Sequence, residues 1–168
     1  ALPTYRAGLL VEQPFLAMLA MQLDLVAVVD DRLPTACTDG ERIFVHVRFL
    51  QSLDTAGRTF LLAHEIWHCA LQHFVRAGER ERERWNLAID HEVNHLLTEQ
   101  GLRMPDGGVL FERWRGLNAE EVYERLARTP SECTRPVSAD LHALPAPGDD
   151  ADVVDPDFAP LTSSEVMR

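Results

Sequence analysis

Two copies of one short pattern limit what this chain can fold into. HEIWH runs from His64 to His68, and HEVNH from His91 to His95. Both read H-E-x-x-H. On an α-helix, side chains four residues apart lie one turn apart on the same face, so each pair of imidazoles can reach a single cation. The glutamate between them can hold a water at that cation and accept its proton. The pattern therefore asks for a helix at both places. One small domain has little use for two such helices with the same job, so the surrounding residues must decide between them.

Around the first copy, the spacing predicts one long helix over Thr55 to Arg76. At 100° per residue, Phe60, Ala63, Trp67, Ala70, Leu71 and Phe74 fall around one broad side, and Leu61, Leu62, Ile66 and Cys69 widen it. A helix apolar almost all round is a buried helix. His64 and His68 lie at the edge of the apolar arc, with Glu65 just beyond. Buried polar groups are costly without partners. A metal supplies one; hydrogen-bonded core histidines are the plainer alternative. His73 lies about 180° from His64 on a continuous helix, which places it out of reach of the same ion. The longer pattern with a third histidine fails, because Leu71 and Phe74 stand where its glycine and histidine would be.

Around the second copy, Trp85 to Gln100 reads as a helix closed by Gly101 just past its end. Trp85, Ile89, Val93 and Leu96 make its apolar face, with Leu97 on one flank beside Asn86, Asp90 and Asn94. His91 points nearly opposite the apolar centre and His95 sits on the far shoulder. This pair is therefore expected to face water or a partner. Asp90 is placed where a ligand on the buried side would be.

The rest of the chain supplies a modest frame. Its 168 residues suffice for one compact domain with a core. The net charge of -11, with every basic residue an arginine, makes a nucleic-acid backbone a poor partner. Cys37, Cys69 and Cys133 show no CxxC spacing, which argues against a disulfide framework or a cysteine zinc knuckle. The apolar stretch Phe15 to Met21 is too short for a membrane span or a signal core, so a cytoplasmic location away from membrane is expected. A helix starts at Pro14. LVAVV extends it or forms a short strand. After the turn signal at Thr38 to Gly40, RIFVHV alternates as a half-buried strand. GERERER reads as a solvated connector. Asn118 and Glu121 form a capping-box arrangement. From Thr129 prolines, aspartates and small residues dominate without a period. The expectation is an α+β, helix-rich domain over 1–128 with a small hairpin or sheet, and a flexible tail or linker over 129–168.

TACTDGERIFV, LLAHEIWHCALQH, WNLAIDHEVNHLL, LRMPDG and NAEEVYERL follow one another in this order. With them the chain resembles the metallopeptidase domain of bacterial proteins that carry von Willebrand A-like domains and associate with MoxR-type ATPases. The resemblance implies a zincin-like fold, a Zn²⁺ cofactor and a protein or peptide substrate. It implies His64 and His68 as metal ligands, Glu65 as catalytic base, Asp90 as third ligand and Asn94 as a polar position one turn later. The sequence departs from the family by placing His91 and His95 around that asparagine, which leaves His91 and Glu92 as competitors for the third position. In such folds a strand lies beside the active-site helix, so the free edge of RIFVHV is expected to pair with an extended substrate. Tyr123 either donates to the oxyanion or packs, and Cys133 could cap the metal as a thiolate. Zinc-dependent peptide hydrolysis is the function this implies. The rival is a metal-stabilised interaction module without turnover.

Overall fold

A computed structural model describes residues 14–29, 33 and 35–129. The expected tail over 129–168, with Cys133, lies outside these residues apart from Thr129. The elements follow in the order α1 (Pro14–Ala20), β1 (Asp24–Val28), β2 (Ala36–Thr38), β3 (Arg42–His46), α2 (Val47–Ser52), α3 (Thr55–Ala70), α4 (His73–Ala77), α5 (Arg82–Glu99), a 3₁₀ turn (Glu112–Trp114) and α6 (Ala119–Arg128). The fold is α+β, helix-rich with one small sheet, as the sequence implies. None of the described helices is long and apolar enough to cross a membrane.

LVAVV is strand rather than helix. Its Val26 and Val28 lie in β1, which runs parallel to β3, while β2 pairs antiparallel on the other side of β3. The order β1-β3-β2 corrects two expectations for RIFVHV. A central strand has neighbours on both sides, so β3 offers no free edge to a substrate. Its residues Ile43 to His46 are all buried, not half-buried. Ile43 and Val45 join the cluster under α1 and α3, whereas Phe44 packs with Val28, Leu33 and Cys37 on the opposite face. The strand ends at His46, whose Nδ1 faces the Phe49 N–H at the start of α2.

Asp54 caps α3, its Oδ1 accepting the Gly57 N–H at 2.7 Å. The predicted helix over Thr55 to Arg76 is not continuous. It stops at Ala70, and Gln72 takes a left-handed conformation, φ 54° and ψ 40°. Gln72 is the one non-glycine residue with positive φ among those described. A side chain there costs about 1–2 kcal/mol. The turn swings α4 away from the axis of α3 and changes where His73 points.

The α5 helix is gripped from two sides. Val93 and Leu97 pack into the core under α3, and Trp85, Ala88 and Ile89 pack with Phe111 just before the 3₁₀ turn, Trp114 in it, and Val122 and Leu126 from α6. Single-face amphipathicity therefore misjudges this helix: its second side is covered by a loop and a later helix. Gly101, at φ 84°, ends it as expected, with the Leu102 N–H returning to Leu97 O at 3.0 Å. The capping box of α6 is present, Asn118 Oδ1 accepting from Glu121 N and Glu121 Oε2 from Asn118 N.

Candidate metal centre

Residues 64 and 68 sit one turn apart on α3, and residue 90 comes from α5 packed against it. This brings His64 Nε2 and His68 Nε2 to 2.9 Å, with Asp90 Oδ1 at 3.7 Å and 3.6 Å from them. Both imidazoles are fully buried and Asp90 nearly so. Among the described residues, these three are the group of histidine, cysteine and acidic side chains close enough together to hold a metal ion. Bonds of about 2.0–2.1 Å to a tetrahedral ion place its ligand atoms about 3.3 Å apart. The observed separations bracket that value. Two imidazole nitrogens and one carboxylate oxygen also match the donor set of a catalytic zinc site, which keeps its fourth position open. The residues present fit the ion.

Asn94, one turn beyond Asp90, orients His64. Its Nδ2 donates to Val109 O at 3.0 Å, which turns Oδ1 toward His64 Nδ1 at 2.8 Å. The imidazole then carries its proton on Nδ1 and presents a lone pair on Nε2, toward His68 and Asp90. Glu65 is fully buried on the same helix. Burial pushes its carboxyl well above the ordinary 4.5, and the negative charge of Asp90 pushes in the same direction. A carboxyl raised in this way holds its proton more firmly than an exposed glutamate does.

The second HExxH does not face water. His91 is fully buried because the segment before α6 folds over it: its Nδ1 accepts the Phe111 N–H at 3.1 Å and its Nε2 donates to Trp114 O at 2.9 Å. Both ring nitrogens are thus engaged with backbone. Burial holds its pKa below 6.5, which keeps the ring neutral. His95 is half-buried, its ring stacked with that of His91. Glu92 turns to His73 and Arg76, at 3.0 Å and 3.2 Å. None of the three joins the group around Asp90. Tyr123 stands apart as well: its hydroxyl accepts the Glu81 N–H at 3.0 Å, and its ring packs edge-on to Trp85.

His91→Ala should therefore lower stability and leave metal uptake intact. It strands a buried N–H and a buried carbonyl, at about 1–3 kcal/mol for each unsatisfied group. A thermal melt and a metal analysis of the same variant check this. Loss of the metal with an unchanged melt would contradict it.

The helix break has one consequence that residue spacing does not reveal. His73 does not extend away from His68 but returns to it, Nδ1 to Nδ1 at 2.7 Å. A non-glycine residue in a left-handed turn leaves no mark in sequence. The cues in hindsight are the fully buried Trp85, whose indole N–H reaches His73 O at 3.2 Å, and an otherwise unexplained third histidine.

Neither the curated proteins nor the solved structures gave a match to this chain. A family model did, over residues 4–154, and its description is "putative metallopeptidase domain". That span contains both HExxH copies, Asp90, Asn94 and the loop that buries His91. With the match covering most of the sequence, the chain belongs to this metallopeptidase-domain family.

Proposed function

We propose that the chain is a zinc-dependent peptidase of the HExxH type, with His64, His68 and Asp90 holding the ion and Glu65 as general base. The observation that carries this is the convergence of two Nε2 atoms and one carboxylate oxygen beside a buried glutamate on the same helix. When bound, zinc polarises a carbonyl and makes water easier to deprotonate. Glu65 takes the proton of the attacking water, which adds to the scissile carbonyl carbon. The same carboxyl then returns the proton to the leaving amine as the C–N bond breaks. Asn94 keeps His64 in the tautomer that can ligate. The low-dielectric surroundings strengthen each of these interactions.

A metal-stabilised interaction module is the second reading. Burial of all four side chains favours it, since a structural ion needs no access to solvent. Against it stand the donor count and Glu65. Structural zinc takes four protein ligands and has no use for a base, whereas the described residues gather three ligands and place a glutamate next to them. The von Willebrand A-like protein and MoxR-type ATPase named by the resemblance belong to the proposal as partners, and so does a cytoplasmic setting.

The test is a peptide-library digest with the zinc-loaded protein, the chelated protein and the chelated protein resupplied with zinc. Cleavage at defined bonds, lost on chelation and restored by zinc, is expected. Cleavage that survives chelation, or a zinc-loaded protein that cuts nothing while it binds its partners normally, would contradict the proposal.

A further inference from the structure

We propose that His73, backed by Glu92, is a positioning residue for the metal centre: it fixes which nitrogen of His68 carries the proton and so turns the His68 Nε2 lone pair onto the ion. This rests on the reading of His64, His68 and Asp90 as metal ligands.

Glu92 Oε2 lies 3.2 Å from the Arg76 guanidinium, which can only donate, so Glu92 accepts there as an ion-paired carboxylate. Arg76 is itself anchored, because it also pairs with Glu120 from α6. An ionised carboxylate only accepts hydrogen bonds. With Glu92 Oε2 at 3.0 Å from His73 Nε2, the His73 proton must sit on Nε2. With that proton on Nε2, the His73 ring presents the lone pair of Nδ1 toward His68. His68 Nδ1, 2.7 Å away, can then only donate. Its proton belongs on Nδ1, and its Nε2 presents a lone pair on the side of His64 Nε2 and Asp90 Oδ1.

The direction of every bond follows from one partly buried carboxylate. Glu92 does for His68, through His73, what Asn94 does directly for His64. Metal-ligating histidines commonly donate their second ring N–H to a carboxylate or a carbonyl. Here an extra imidazole is interposed because Glu92 lies on the far side of His73. The left-handed turn at Gln72 is what brings His73 back to His68. Trp85 pins the turn from beneath, donating to the His73 carbonyl while its ring meets the imidazole edge-on. A strained backbone held by specific contacts of this kind is a usual companion of a functional site.

Two readouts test this. In the metal-free wild type, with histidine nitrogens labelled and the pH set where the rings are neutral, long-range nitrogen–proton NMR should find the His68 proton on Nδ1 and the His73 proton on Nε2. A His68 proton on Nε2 overturns the proposal. The second readout is zinc affinity from competition with a chelator. His73→Phe keeps a packed ring but removes the acceptor, so affinity should fall about 10–100-fold, with His68 becoming a mixture of tautomers. His73→Asn returns an acceptor near the position of Nδ1 and should recover most of the affinity. Should His73→Phe fail to fold, Glu92→Ala carries the same expectation, since it leaves Arg76 paired with Glu120. Zinc affinity unchanged in the folded variant overturns the positioning role alone. A wild-type chain that takes up no zinc overturns the ligand reading, and the positioning role falls with it.

Discussion

Glu65→Gln should keep the fold and the zinc yet cleave peptides about 10²–10⁴-fold more slowly than wild type. The substitution preserves shape and hydrogen-bonding capacity. It removes the one property the proposed chemistry needs, a carboxylate able to accept and return a proton. Glu65 is not among the residues proposed to ligate, so zinc content should stay at wild-type level. A second effect separates this from damage to the fold. The Glu65 carboxyl in the folded, metal-free protein is raised above the 4.5 of the unfolded chain by burial and then by Asp90. As pH rises above 4.5, the unfolded chain releases this proton while the folded one retains it. Folding is therefore progressively disfavoured up to the folded pKa. Glutamine does not titrate. Metal-free Glu65→Gln should then melt higher than metal-free wild type at neutral pH, with the gap closing as pH falls toward 4.5. Slower cleavage together with a higher melt marks a catalytic group held at the expense of stability. A variant with wild-type cleavage would move the assignment to the interaction module.

His64→Ala should abolish stoichiometric zinc, and Asp90→Ala should weaken it markedly. Removing an imidazole leaves one nitrogen and one oxygen, too few to hold the ion against water. Asp90 supplies the only negative charge in the proposed ligand set, and its loss leaves two neutral rings facing a dication. Neither change should unfold the domain, since the cores around Phe60 and around Trp85 are built from other side chains. Metal analysis after dialysis, with circular dichroism to verify the fold, reads both. A folded His64→Ala variant with a full zinc complement would contradict the assignment.

The parts of the site legible in sequence were those that depend on one helix at a time. Residues 64, 65 and 68 follow from α-helical spacing, and residue 90 from its flank on α5. What failed depended on chain reversal or on layers added later in sequence. Gln72 is an ordinary helix former, so nothing marked the break that turns His73 inward. The apolar pattern of α5 showed one face because its other cover, Phe111 and Trp114, comes from a loop without period. That cover buries His91 and gives the second HExxH its role: one histidine ties down the loop, and Glu92 supports His73. Strand β3 looked half-buried because alternation cannot reveal what covers the other face, here Leu33 against Phe44 beside the cross-strand neighbour Cys37.

The most direct measurement is a crystal structure of the zinc-loaded protein with anomalous data collected on both sides of the zinc edge. The expected result is one zinc peak, bonded to His64 Nε2, His68 Nε2 and Asp90 Oδ1, with Glu65 close by but not ligating. A peak held by His91, Glu92 or His95, with Asp90 turned away from it, would contradict it.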